Sequence, residues 1–364
     1  MDKPFDRGPT RKLQRTVRQI MTVSQRQIIV KRPGGHQALT IEQTAARGPG
    51  PNQVQVDVKA CGINFADIAV RLGLYGAAKG LYPLCPGLEF SGVVREVGDG
   101  ITEFSPGQKV FGATRFGAYT TLINCPPEHL WPMPEGWDFE RGATFPVAYL
   151  TAYYALYQVG HLKISDKVLV HSAAGGVGTA ILHLLRLNGN FSVGVVGAPE
   201  KVNAALEAGA DHVIDKSSCD LWKKAEEINP EGYDIVLDAN GAATLMGSFD
   251  HLRPTGRLLI YGFASMFSPS GKKNIPKLLW YYLKTPRFSP FDLTSSNKSV
   301  AGFNLIYLFD HKRLFRQIMD KLLRWDAKGL LPPMPITAYP FDNVGQAHKD
   351  LESGKTVGKL VLKV

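Results

Sequence analysis

Short apolar runs broken by Gly/Pro turns fill the first part of the chain, and from about residue 148 such runs alternate with helical patterns instead. Ile28-Ile29-Val30 and residues 54–60 read as strands, the second with a period of two, with Gly48-Pro49-Gly50-Pro51 as the turn between them. Cys61-Gly62-Ile63-Asn64-Phe65-Ala66-Asp67 runs into a short helix that ends near Gly73. Residues 93–97 and the segment after Pro106-Gly107 supply further strands. Short strands at this spacing predict a barrel-like, β-rich unit over residues 27–147.

The pattern changes near Pro146. Residues 151–157 read as helix, and Val168-Leu169-Val170 is a β-branched run of the kind buried on both faces of a sheet. Strand-like runs recur at 192–197, 212–215, 233–238 and 257–262, with a helix at 200–209 and a last strand around 300–308. This alternation predicts an α/β doubly wound parallel sheet over residues 148–309. Residues 263–299, rich in Pro, Lys and aromatics, read as an insertion. Residues 312–328 carry an amphipathic helical pattern, and 356–364 an alternating strand.

One stretch carries chemistry in its spacing. Ala174, Gly175, Gly176, Val177 and Gly178 lie between the strand at 168–170 and an apolar run at helical spacing. Glycine has no Cβ, so its backbone can approach a pyrophosphate closely. The helix that follows aims unpaired N–H groups and a partial positive charge at the anion. A lone glycine triplet is often only a tight turn; the strand before it and the helix after it supply the dinucleotide context.

Composition narrows the partners. The 364 residues are 44% hydrophobic and carry a net charge of +10, an ordinary globular balance apart from the basic excess. No run of four adjacent Lys/Arg and no nucleic-acid motif occurs, so the excess reads as anionic small-molecule binding plus a basic extension over 1–26. That extension lacks the apolar core of a secretory signal; it is a mobile tail or a transit segment, against which Asp2 and Asp6 count. Cys61, Cys85, Cys125 and Cys219 form no CxxC pair, which fits a reducing, cytoplasmic setting. No uncharged apolar stretch is long enough to span a membrane. Residues 272–291 mix basic and aromatic side chains as an interfacial segment would, which leaves peripheral membrane contact open; the plainer reading is a helix over the cleft or a dimer edge.

These segments resemble the zinc-free quinone oxidoreductase branch of the medium-chain dehydrogenase/reductase superfamily. The markers are ACGINFAD, PGLEFSGVVREVG, HSAAGGVG, EAGADHVID, LRPTGRLLIYG and HKDLESGKTVGKLVLKV, in the family's order. The insertion is similar to that of vesicle amine transport protein homologues. The resemblance implies a GroES-like catalytic domain, completed by residues 310–364, with a Rossmann domain inserted between its parts. It also implies a nicotinamide in the cleft and a homodimer.

Zinc-dependent relatives hold their catalytic metal with two Cys and a His, and the matching positions here are Asn64, Leu88 and roughly Val147. A leucine cannot ligate a metal and an amide is a poor zinc ligand, so no zinc is expected. The acceptor must then be polarised by hydrogen bonds, which suits a quinone or an α,β-unsaturated carbonyl (an enone). Family likeness makes Asn64 the polar group at the site, although it also suits a helix cap. Tyr75, eleven residues on, matches a tyrosine of enoyl thioester reductases that can donate to a developing enolate, or it is a packed aromatic. Asp67 matches a family acid for which a structural or hydrogen-bonding role is expected, and Glu89 is expected to orient its neighbours.

The second strand of the sheet ends in Val196-Gly197-Ala198 with no acid, which permits the 2′-phosphate of NADPH. Lys201 matches the lysine that meets this phosphate in NADPH-dependent quinone reductases, unless it is a solvated surface lysine. Lys216 replaces a frequent tyrosine and is itself a phosphate candidate. Thr151, Asn240, Gly262 and Phe263 follow the family's cofactor groove. The expected function is a zinc-independent, NADPH-dependent reductase of quinones or enones. The alternatives are an enoyl thioester reductase and a membrane-associated or interaction protein that keeps the fold.

Overall fold

The computed structural model describes residues 23–267 and 274–364. The basic extension therefore lies almost wholly outside the described residues, as do residues 268–273 of the insertion. Strand β1 (Ser24–Val30) pairs antiparallel with β2 (Leu39–Ala45). Strand β3 (Val54–Ile63) leads into helix α1 (Phe65–Arg71), and β4 (Glu89–Val97), β5 (Lys109–Ala113), β6 (Leu122–Cys125) and β7 (Leu130–Pro132) follow. Val54, Val56 and Val58 alternate along β3 and pack with Phe90, Val110 and Leu130 in one core, which is why the period-two pattern there is strong.

Helix α2 (Phe139–Tyr153) is capped by Asp138, whose carboxylate accepts the N–H of Arg141 at 2.7 Å. Every residue from Gly142 to Tyr153 is buried, and a π-helical turn, Tyr154–Val159, continues the helix. The second sheet then builds by alternation: β8 (Val168–His171), α3 (Gly176–Asn188), β9 (Ser192–Val196), α4 (Val202–Glu207) and β10 (His212–Asp215). Next come α5 (Leu221–Ile228), β11 (Tyr233–Asp238), α6 (Leu245–Asp250) and β12 (Leu252–Ile260). The insertion folds as α7 (Ile275–Lys284) and α8 (Pro290–Ser296) before β13 (Ser299–Gly302).

Among the described residues, six strands run parallel in the order β10-β9-β8-β11-β12-β13. Strand order reverses between β8 and β11, so a crevice opens at their carboxyl ends. The chain then returns through α9 (Lys312–Ala327), β14 (Ile336–Pro340), α10 (Val344–Glu352) and β15 (Lys359–Lys363). These complete the other sheet, β14-β15-β3-β4-β5-β7, with β6 also on β3. The two sheets touch where the Gly358 N–H donates to the Ala174 carbonyl at 2.8 Å.

The architecture is the expected α/β one, a β-rich unit beside a doubly wound sheet. Several local expectations change. Between residues 30 and 54 the chain forms β2 as well as a turn. Pro146 lies inside α2, so the expected boundary between 147 and 148 falls within a helix. The last parallel strand stops at Gly302 and is followed by a 3₁₀ turn, Leu305–Leu308.

Candidate active site

A cleft of about 590 Å³ lies between the two sheets, within the usual range of ligand sites. One end is the loop after β8. Ser172 takes up φ 54°, a left-handed conformation that costs a non-glycine residue energy and tends to persist at functional turns. Its carbonyl accepts the Gly175 N–H at 2.9 Å. Ala174, Gly175, Gly176, Val177 and Gly178 all line the cleft. Helix α3 starts from Gly175 with no side-chain cap, which leaves its first-turn N–H groups for an anion. A Cβ on Gly178 would fall 2.3 Å from the Ser172 carbonyl and 2.7 Å from that of Ala173. Only glycine fits there. At Gly175 the nearest atom would be 3.3 Å away, so that residue leaves room rather than relieving a clash.

Asn240 and Gly262 border the same end. The Asn240 Oδ1 accepts the Ser172 hydroxyl at 3.0 Å, while its buried Nδ2 has no partner among the described residues. A buried amide donor left over beside the glycine loop suits a polar ligand. These residues fit a dinucleotide.

Gly197, Lys201 and Lys216 line the cleft beyond β9 and β10. Burial holds both ammonium groups below the usual lysine range, and Lys216 adds to the lowering at Lys201. An anion between them would reverse that penalty. Lys201 Nζ meanwhile donates to the Gly354 carbonyl across the cleft mouth. Ala198, which its strand-end position offered as a cofactor contact, sits in extended backbone between Gly197 and the short turn Pro199–Lys201 and does not line the cleft, a correction to that expectation.

At the other end Asn64, Leu88 and Val147 converge, as their match to metal-ligand positions requires. What joins them is Glu89. Its Oε1 accepts from Asn64 Nδ2 at 2.9 Å and from Lys359 Nζ at 2.7 Å, and its Oε2 accepts the Val147 N–H at 2.8 Å. Pro146 interrupts the α2 ladder next to that N–H. The donor set does not fit zinc: Leu88 and Val147 offer hydrocarbon, and the Asn64 amide is engaged by charged neighbours. Among the described residues no group of His, Cys, Asp or Glu is placed to hold a metal ion.

Tyr75 and Thr151 also line the cleft, with Phe263 half exposed at its edge. The Tyr75 hydroxyl donates to Asn304 Oδ1 at 2.8 Å, and burial raises its pKa well above the usual phenol value. Thr151 Oγ1 donates to the Val147 carbonyl at 2.6 Å. Asp67 is not brought to the cleft. It is fully buried and accepts from the N–H groups of Asn64 (2.8 Å) and Gly87 (3.0 Å) and from the Tyr119 hydroxyl (3.1 Å). Burial pushes its carboxyl up to about 6. Its place is among structural groups, in the hydrogen-bonding role expected of it, and apart from Asn64 and Tyr75, which family position puts beside it as catalytic candidates.

Sequence reasoning missed Lys359, Ser172, Asn304 and the Gly354 turn. A lysine heading the apolar strand Leu360-Val361-Leu362 was a visible anomaly; Asn304 carried no signal at all.

A doubly wound sheet with a glycine cradle, set against a β-rich unit that the chain leaves and later rejoins, is the build of a medium-chain dehydrogenase/reductase. Residues 50–135 match the alcohol dehydrogenase GroES-like domain and residues 208–362 match the zinc-binding dehydrogenase family. The human synaptic vesicle membrane protein VAT-1 homolog is 33% identical over 331 residues, 90% of this chain and 84% of that protein. A quinone oxidoreductase of Pseudomonas syringae superposes with a TM-score of 0.82 at 28% identity, over 93% of this chain and 100% of the other. The Escherichia coli quinone oxidoreductase, solved with NADPH, gives 0.81 at 27% identity, again over 93% and 100%. The chain belongs to the zinc-free quinone oxidoreductase branch of the superfamily, with the VAT-1 homologues as its relatives.

Proposed function

We propose that the protein is a zinc-independent reductase of quinones or α,β-unsaturated carbonyls that uses NADPH. The observation that carries this reading is the continuity of the cleft: a glycine cradle flanked by Lys201 and Lys216 opens into a chamber walled by Leu88, Val147 and Phe303. The α3 N-terminus holds the pyrophosphate, Asn240 Nδ2 adds a donor, and the two lysines hold the 2′-phosphate. NADPH, when bound, supplies the hydride, and the acceptor takes its proton from solvent. Asn64 donates a hydrogen bond to the acceptor oxygen as charge develops there. The hydrocarbon walls pack against the apolar body of the acceptor.

NADPH oxidation with quinones, enones and enoyl thioesters tests the proposal. Turnover of quinones or enones is expected; turnover of thioesters alone would make the protein an enoyl thioester reductase, and no turnover with any acceptor would refute the reductase reading. We also propose a cytoplasmic homodimer that pairs its edge strands β13, to be checked by light scattering.

A second reading concerns α7. Ile275, Leu279, Trp280 and Leu283 are more than half exposed, and Lys284 lies over the Trp280 ring at 5.0 Å. This basic-aromatic surface favours peripheral contact with a lipid bilayer alongside the enzyme activity. Co-sedimentation with anionic liposomes that survives Trp280→Glu and Leu283→Glu would rule it out.

A further inference from the structure

Lys359 is almost completely buried, and its ammonium has three acceptors: Glu89 Oε1 at 2.7 Å, Asn64 Oδ1 at 2.7 Å and the Ile63 carbonyl at 2.8 Å. All three of its protons are thereby used. Glu89 is fully buried as well and accepts the Asn64 Nδ2–H on the oxygen it shares with Lys359. An ammonium can only donate and a carboxylate can only accept. The Asn64 amide thus has one allowed orientation, oxygen toward Lys359 and nitrogen toward Glu89. Its second N–H has no protein partner among the described residues, at a side chain that lines the cleft.

We propose that Lys359 is a positioning residue: together with Glu89 it locks the Asn64 amide so that this N–H is presented to the acceptor oxygen. The proposal rests on the reductase reading above and deepens it. Released from Lys359, the amide could turn its own oxygen toward the cleft, where it would repel the charge that builds on the acceptor. The buried pair is neutral as a whole, so the acceptor meets an oriented dipole and no net cation. That favours acceptors whose conjugation already spreads the developing charge over simple ketones, which need stronger polarisation. The stem of Lys359 also packs on the cradle, since a Cβ on Gly176 would fall 2.4 Å from its Cδ.

Lys359→Met keeps the stem and removes the ammonium; the double variant Lys359→Met/Glu89→Gln removes both charges, which buried pairs generally tolerate. With a quinone acceptor, Lys359→Met is expected to lower kcat about 10- to 100-fold, the usual range for groups that orient a reacting residue, while KM for NADPH changes less than about twofold. The double variant is expected to regain the wild-type melting temperature without regaining kcat. Wild-type kcat in the double variant, or a rise in KM that matches the fall in kcat, would reduce Lys359 to a structural role. The two side-chain ¹H–¹⁵N cross-peaks of Asn64, assigned with Asn64→Leu, read the lock without turnover. They are expected to be two sharp, well-separated lines that broaden in Lys359→Met, and an unchanged pair overturns the proposal. A wild type inactive toward every acceptor would instead refute the reductase reading, with the resonances still reporting on the lock.

Discussion

The hydroxyl of Tyr75 donates to Oδ1 of Asn304 at 2.8 Å, tying a loop of the β-rich unit to the segment after β13. The Ile306 N–H reaches the same oxygen at 3.3 Å, which fixes it as an acceptor. The phenolic proton is therefore directed at Asn304, whereas Asn64 keeps an N–H that no described residue takes up. Tyr75→Phe should lower kcat less than about threefold, and Asn64→Leu about 10²- to 10³-fold, as for removal of an oxyanion donor. Equal losses in steady-state assays would return the donor role to the phenol.

On the proposed NADPH reading, Lys201 exchanges the Gly354 carbonyl for the 2′-phosphate. Loss of a charge-assisted bond of about 1.5–3 kcal/mol corresponds to roughly 10- to 100-fold in affinity. Lys201→Ala should raise KM for NADPH by that amount and leave NADH within about twofold. Parallel effects on both cofactors would contradict the phosphate assignment.

The glycines of the cradle are unequal. Ala at 178 would be forced against two backbone carbonyls, while Ala at 175 meets nothing closer than 3.3 Å. Gly178→Ala is expected to abolish NADPH binding in a fluorescence titration and to lower the melting temperature. Gly175→Ala should do neither to the same degree, and the reverse order would contradict the steric role of Gly178.

His183 and Asp67 make opposite contributions to acid stability. Burial, aided by Arg186 and Arg141, lowers the His183 pKa to about 4 from 6.5. As pH falls from 6.5 to 4, the unfolded chain takes up a proton that the folded imidazole refuses, and stability is lost. Asp67, raised by burial from 3.8 to about 6, is protonated first in the folded chain, so over pH 6 to 3.8 it restores stability on acidification. Each group contributes up to about 1.4 kcal/mol per pH unit within its window. Urea midpoints between pH 7 and 4.5 should fall less steeply in His183→Gln and more steeply in Asp67→Asn. Unchanged slopes in both would mean that neither proton is taken up as described.

How much was legible follows from where the physical signal is local. The strand, glycine loop and helix from Val168 to Asn188 could be read because steric demand and periodicity sit in adjacent residues. Strand β2 was not, because its side chains are mostly exposed and show no alternation of burial. Helix α2 is buried from Gly142 onward and contains Pro146, so it has neither an amphipathic stripe nor an unbroken helical run. Family position picked out Asn64, Lys201 and Lys216, and all three line the cleft. Lys359 has its partners Asn64 and Glu89 at separations of 295 and 270 residues, and no local pattern encodes such a meeting. For Asp67 motif position was not enough: it does not say whether a carboxylate faces a cleft or a neighbouring backbone, and here it faces the backbone.

The bond from Gly358 to the Ala174 carbonyl joins the loop after β8 to a strand made much later in the chain. During translation the doubly wound sheet is complete at Gly302, well before β15 leaves the ribosome. A nascent chain can thus fold its cofactor-binding half while lacking the lysine that orients Asn64. On the proposed reading, competence for reduction arrives in one late step, when residues 358–363 dock against the glycine loop and Asn64.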